Sequence, residues 1–455
     1  MMTNDIVVVV PGVTGSELTY HGEPIWTTSA RALVKSILRF TDNAHRLRLP
    51  EDIGDNSPND GIVASRLVDS LHVIPGVWSP ICGYDVLLNR LRARGFTDDG
   101  PEPNLIAFPY DWRLSNRYNA GVLKVAVERA LEIWRSSSPE RADSKAVLLC
   151  HSMGGLIARW YVSVLGGYEV VSKVITLGTP YRGSPKAVSA LALEAPAPFK
   201  RHAAVLRQVT SAMPSVHQLL PSYACVETGA SLNYLRDQSI PGLSSRVVND
   251  GAEFYASLEE AEARQSGDLP TWYPIIGIEQ PTPSGITIGL AGIDLNTTLC
   301  GTNFGGDGTV PAASVPRGMS LDDNRLNRIG DKHGHLQANA AVLDEVLGII
   351  TATSFRFKAP GDQIIAVDSP EVVSAGERWM VSVSTDRLPT ALIATVLDEN
   401  RRVLRRTQHN IRTSPHSLEL GPLEPGGYTI ALSPAGQPPE RSAVVSPVLV
   451  WSPTE

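Results

Sequence analysis

Residues 145–162, KAVLLCHSMGGLIARWYV, set the tightest constraint on the fold. Ala146 to Cys150 form a continuous apolar run, the pattern of a strand buried on both faces of a parallel sheet. From Leu156 onward the apolar residues recur at helical spacing. Only a few residues separate the two patterns, so the chain must turn from strand to helix abruptly. So sharp a turn brings the two backbones nearly into contact and needs small residues on either side of its apex. Gly154 and Gly155 supply them downstream. Upstream, Cys150 stands where a glycine is expected, and it is still small. Ser152 occupies the apex. A serine hydroxyl held exposed on such a turn can act as a nucleophile once a base takes its proton. The Met153 N–H and the helix N-terminus aim at the same spot, where a tetrahedral oxyanion would form. The competing reading is an ordinary strand-to-helix turn with a solvated serine.

The rest of the chain sorts into two compositional halves. IVVVV at residues 6–10, closed by Pro11 and Gly12, reads as a second doubly buried strand, and NLIAFPYDW as a third. NRYNAGVLKVAVERALEIWR places Val122, Val125, Val127, Ala130, Leu131, Ile133 and Trp134 at helical spacing. VSKVITLGTP is again a strand. Strand and helix therefore alternate, which predicts an α/β fold with a parallel sheet and right-handed crossovers. Residues 184–269 lose the alternation and read as a cap insertion over the sheet. TWYPIIGIEQPTPSGITIG restores a strand with a turn at Pro281 to Gly285, and GHLQANAAVLDEVLGIITA reads as the closing helix. After FKAPGDQ the helix signals stop. Short alternating strands punctuated by Gly, Pro, Asp and Asn predict a β-sandwich over 363–455, immunoglobulin-like in architecture only, since no Cys…Trp…Cys pattern is present. The catalytic part is expected over 1–355.

An elbow serine calls for an acid and then a histidine further along the chain. GGDGTVPAAS holds Asp307 between glycines that allow a tight turn. DKHGHLQANAAVL holds His333 and His335 just before the closing helix. His333 is the expected base, with Asp307 fixing its tautomer, and His335 is the fallback. A second oxyanion donor is expected from the loop after the first strand, as the N–H of Val13 in VVPGVTGSEL. The H-x-H pair also fits metal ligands, but no further ligands cluster near it, so neither metal nor cofactor is expected. Cys82, Cys150, Cys225 and Cys300 form no C-x-x-C pair and no disulfide framework.

Charge and hydropathy narrow the partners. The net charge is −7, against a general nucleic-acid binder. No run reaches the ~20 apolar residues of a membrane span. The apolar run near residue 10 reads as a strand and not a signal peptide, which makes the cytoplasm the default compartment. In SARALVKSILRFT, at 29–41, Arg31, Lys35 and Arg39 share one helical face, with Val34, Ile37 and Leu38 on another and Phe40 extending it. Such a segment suits a lid or an anionic lipid surface, or a helix packed on the protein with its charges in water. Trp26, just before it, suits core or lid equally.

Taken together, PGVTGSEL, FPYDWR, HSMGGLIARWY, LGTPYRGSPKAV, LLPS, GDGTVP and KHGHLQ occur in the order seen in the lecithin:cholesterol acyltransferase family. That family includes phospholipid:diacylglycerol acyltransferases and lysosomal phospholipase A2. The chain resembles it over roughly residues 5–350. The resemblance implies an α/β-hydrolase fold with cap and lid. It implies acyl transfer from a phospholipid or other lipid ester, through an acyl-serine, to an alcohol or water. Position by position it matches Ser152 to the nucleophile, Asp307 to the acid, His333 to the base, and Val13 and Met153 to the oxyanion donors. PYDWR matches a structural element beside the site, with Asp111 and Arg113 read as a buried pair. Two readings compete: an esterase or amidase for a small soluble substrate, and an inactive binding module working through the β-sandwich.

Overall fold

Ile6–Val10 (β1) is buried along its whole length, as its unbroken apolar run requires. In this computed structural model, which describes residues 3–26, 46–69, 81–192, 203–229, 231–289, 292–351 and 363–451, β1 is the second strand from one edge of a six-stranded sheet. Leu105–Ala107 (β2) pairs on one side of it and Ala146–His151 (β3) on the other, both parallel. Val171–Leu177 (β4), Thr271–Gly277 (β5) and Asn327–Ile329 (β6) continue outward from β3, again all parallel. The order is β2-β1-β3-β4-β5-β6. Chain direction across the sheet reverses between β1 and β3. The loops leaving these two strands diverge there, which opens a crevice at the carboxyl ends of the strands. Val13 follows β1 and Ser152 follows β3, so the topology delivers both to that crevice.

Two apolar layers cover the sheet. Ile6, Val8 and Val10 face one layer with Leu148 and Cys150, and Val7 and Val9 face the other with Val147 and Leu149. The alternation is the two-residue period of a strand. Asp85–Arg92 (α1), Asn116–Ser136 (α2), Gly154–Ser163 (α3), Pro185–Ala192 (α4), Ser245–Arg264 (α5) and Ala340–Thr351 (α6) are the main helices. Leu123, Val127 and Leu131 of α2 and Leu156 and Ile157 of α3 fill the first layer. Leu87 and Leu91 of α1 with Val342 and Val346 of α6 fill the second. The Ser115 hydroxyl caps α2 by accepting the Tyr118 N–H at 3.0 Å. The buried stripe of α2 is narrower than its sequence suggests. Leu123, Val127, Leu131 and Trp134 are buried, whereas Val122, Val125 and Ile133 are exposed. A helix edge that meets only one flat layer buries about one residue per turn, and the extra apolar positions stay in water.

The segment at 184–269 holds α4, α5 and shorter elements, and α5 packs against α3. Phe254 of α5 stacks on Trp160 of α3 at 5.3 Å, and Arg159 bonds both carboxylate oxygens of Glu262 at 3.0 Å. Val226–Thr228 and Ser231–Asn233 join Gly285–Gly289 and Gly292–Asn296 in a separate four-stranded sheet. The strand expected across 271–289 is therefore two strands in two different sheets. The basic segment at 29–41 and the side chain of Trp26 lie outside the described residues.

The C-terminal region is β apart from one helical turn at Pro439–Ser442. Ile365–Asp368, Trp379–Thr385 and His416–Leu420 form one sheet. Val372–Ser374, Val444–Trp451, Gly426–Pro434, Thr390–Asp398 and Val403–Ile411 form the other. Val381, Val383, Leu392, Val396, Ile430 and Leu432 belong to their common core. Val444–Trp451 is buried at every residue, unlike an ordinary alternating strand. Val444, Val448 and Val450 enter the β core, while Leu449 and Trp451 enter the core of the α/β part. Polar ties run alongside. Gln280 donates to the Ile365 carbonyl at 3.1 Å and accepts the Val367 N–H at 3.0 Å. Asp331 accepts the Val445 N–H at 3.2 Å, and Lys332 donates to Ser369 Oγ at 3.1 Å. Among the described residues, no helix is long and apolar enough to cross a membrane.

Lys332 carries a testable consequence of this junction. Burial pushes its ammonium down to about 8 from 10.5, against the opposing pull of Glu371 and Asp368. Between those values the unfolded chain holds a proton that the folded chain has lost, so this group makes stability rise with pH across that window. Its side chain is only half-buried, which tempers the effect. Relative to Lys332→Met, the wild type should gain about 1–2 kcal/mol in urea unfolding as pH rises from near 8 to above 10. Parallel pH profiles for the two proteins would contradict this.

Candidate active site

Ser152 has φ of +52°, in the left-handed region where a side chain is strained. Three features hold it there. Its N–H donates to the Leu177 carbonyl at 2.8 Å, its carbonyl accepts from Thr179 Oγ1 at 2.9 Å, and its neighbours leave no room to relax. A Cβ on Gly154 would fall 2.4 Å from the Pro11 carbonyl oxygen, and one on Gly155 would fall 2.1 Å from Thr179 Oγ1. A Cβ on Gly12 would fall 2.9 Å from that of Ser152 itself. Glycine at 12 and 154 allows the β1 loop to touch the serine turn, and glycine at 155 makes room for Thr179.

The hydroxyl of Ser152 lies 2.9 Å from His333 Nε2, and His333 Nδ1 lies 2.8 Å from Asp307 Oδ2. All three residues are buried. The other oxygen of Asp307 accepts the Thr309 N–H at 2.9 Å and the Val310 N–H at 2.7 Å. The His333 N–H donates to the Asp307 carbonyl at 2.8 Å, which locks the two loops together. Thus Asp307 accepts the Nδ1 proton, Nε2 is left unprotonated, and Nε2 accepts the serine proton. His335 points elsewhere. Its Nδ1 lies 2.6 Å from Asp331 Oδ2, which also accepts from Asn339 at 2.7 Å.

Val13 and Met153 both border the serine and are buried. Among the described residues, neither N–H has a hydrogen-bond acceptor, the condition an oxyanion donor must meet before a substrate arrives. Thr14, next to Val13, is a second non-glycine residue at positive φ, +62°. Arg113 is fully buried between Asp111 Oδ2 at 2.6 Å and Asp60 Oδ2 at 2.9 Å. The pair read from the sequence thus has a third member, and it braces the PYDWR turn away from the serine.

A small, partly open pocket lies over Ser152 and His333. Val13, Ile81, Ala187, Leu219 and Val310 make most of its wall apolar, with Ser184 and Lys186 as polar positions. Lys186 pairs with Glu371 of the β-rich region at 2.5 Å. Sequence reasoning missed this pair, because its members are far apart in the chain. It also missed Tyr84 and His151, which sit directly behind the site. His151 lies inside the elbow motif itself, and its place beside the apex was the available signal.

The fold and this constellation define a serine-hydrolase-like enzyme with an added β region. The sequence model of the lecithin:cholesterol acyltransferase family matches residues 79–242. No curated protein matches the chain. The solved Tle4-Tli4 complex contains a chain with 14% identity and a TM-score of 0.52, covering 78% of this chain and all of that one. The mature Bacillus licheniformis lipase BlEst2 aligns at 14% identity over 76% of this chain and 92% of its own, with a TM-score of 0.36.

Proposed function

We propose that this protein is a serine-dependent lipid acyl hydrolase or O-acyltransferase. The observation that carries the reading is the hydrogen-bonded chain from Ser152 through His333 to Asp307, facing a mostly apolar cavity. In the first half-reaction Ser152 Oγ attacks an ester carbonyl while His333 Nε2 takes its proton. The N–H groups of Val13 and Met153 stabilise the oxyanion. The alcohol then leaves with the proton from His333. In the second half, water or an acceptor alcohol attacks the acyl-serine, again with His333 as base. The partial match to an acyltransferase family and the apolar wall support a lipid ester over a small polar one. The same proposal assigns 1–355 to catalysis, 184–269 to a cap, and 363–455 to an immunoglobulin-like accessory sandwich. It also makes contact with a membrane surface peripheral.

The test combines labelling with product analysis. A fluorophosphonate should modify one site, mapped by mass spectrometry to the peptide carrying Ser152. Absence of that adduct would remove the catalytic reading. Products from mixed phospholipid vesicles, with and without a long-chain alcohol, separate the branches. A new ester identifies a transferase and free fatty acid alone a hydrolase. Turnover of p-nitrophenyl butyrate without any phospholipid product would favour the small-ester reading.

A further inference from the structure

Two buried residues outside the triad connect the serine elbow, the loop after β1 and the histidine loop. Tyr84 and His151 are 0% and 1% exposed. The Gly12 N–H donates to Tyr84 Oη at 2.8 Å, and the same oxygen lies 2.8 Å from His151 Nδ1. His151 Nε2 lies 3.2 Å from the His333 carbonyl oxygen.

One proton arrangement satisfies every atom. A carbonyl only accepts, so His151 Nε2 carries a proton and donates to His333. Nδ1 of the neutral ring then accepts, so the Tyr84 hydroxyl donates to it. The Tyr84 oxygen is left to accept the Gly12 N–H. Burial holds the Tyr84 hydroxyl well above its ordinary pKa, so it remains a donor. The segment carrying Tyr84 is itself fastened to the histidine loop. The Cys82 N–H donates to the Gly334 carbonyl at 2.7 Å, and Gln337 Nε2 donates to the Cys82 carbonyl at 2.5 Å.

The effect falls on the next peptide. Gly12 is held at both ends, its N–H by Tyr84 and its carbonyl by the Gly15 N–H at 3.0 Å. The Gly12 carbonyl and the Val13 N–H share one planar peptide, so fixing the first aims the second. We propose that Tyr84 and His151 are positioning residues that hold the Val13 N–H at the oxyanion site and in register with His333. This rests on the reading of Ser152 as nucleophile and Val13 as oxyanion donor.

Tyr84→Phe tests it on the full chain, since it removes one buried oxygen and keeps the ring. The readouts are kcat and KM for p-nitrophenyl butyrate, active sites counted by complete fluorophosphonate labelling, and inhibition by an alkyl trifluoromethyl ketone. The ketone adds to a serine as a tetrahedral oxyanion. Expected per labelled site are a fall in kcat of about tenfold, an unchanged KM, and ketone binding weakened by a similar factor. A merely structural role would reduce the count of labelled sites and leave the constants of the remaining sites alone. That result, or wild-type kcat and ketone affinity in the variant, overturns the proposal. A wild type that takes no label would remove the nucleophile reading together with this one, whereas a labelled wild type with an unaffected Tyr84→Phe removes this one alone.

Discussion

Replacing Asp307 with asparagine is expected to lower kcat by about 10⁴-fold with little change in KM or stability. The size follows from which way the asparagine must face. Oδ1 of Asp307 accepts two backbone N–H groups, from Thr309 and Val310. An asparagine keeps those bonds only by placing its oxygen there. Its NH₂ then occupies the position of Oδ2 and donates toward His333 Nδ1. Nδ1 becomes an acceptor, so the ring proton moves to Nε2. Nε2 now donates toward Ser152 Oγ and can no longer take its proton. The geometry survives and the base is lost. Steady-state turnover of p-nitrophenyl butyrate, normalised to labelled sites, measures this. A fall of less than tenfold would mean that Asp307 does not set the tautomer, and that the loop alone holds His333.

The parts of this site that were legible in the sequence are local or ordered. The elbow is visible because strand, turn and helix are adjacent, and the order of serine, acid and histidine follows from the topology of the sheet. The choice between His333 and His335 was less visible. Both lie in His333–Ala338, a 3₁₀ turn with about three residues per turn, so residues two apart point in different directions. One faces Ser152 and the other Asp331. Only the position of the neighbouring strands decides which. The role of the C-terminal region was hidden for a related reason. Val444–Trp451 reads as an apolar run, but nothing local says that Leu449 and Trp451 serve a second core. Gln280, Asp331, Lys186 and Tyr84 each find partners more than sixty residues away, and single-sequence patterns carry no such pairings. The overlong apolar face assigned to α2 has the opposite cause. Helical periodicity marks which residues are apolar without fixing how wide a surface waits to cover them.

Gly154→Ala is expected to reduce kcat by about a hundredfold or more and to destabilise the fold by about 1–3 kcal/mol. The added carbon would lie 2.4 Å from the Pro11 carbonyl oxygen and 2.6 Å from that of Val10. Both are backbone atoms at the end of β1, so no side chain can swing aside. Either α3 lifts from the sheet, carrying Met153, or the β1 loop retreats, carrying Val13. Each response pulls an expected oxyanion donor out of line with Ser152. Gly121→Ala is the matched control. It sits inside α2 with nothing within 4 Å of the new carbon, and it should stabilise by about 0.5–1 kcal/mol without affecting kcat. Urea unfolding and turnover per labelled site give both quantities for both variants. Wild-type turnover in Gly154→Ala would show that the close approach of β1 is dispensable. The same geometry explains why the upstream position tolerates Cys150. Paired between Val10 and Thr176, it joins the core cluster of Ile6, Val8, Val10 and Leu148. The strand pleat turns its side chain into that core, away from the crevice. Glycine is required where the helix meets the backbone of β1, and on the strand side a small apolar residue is enough.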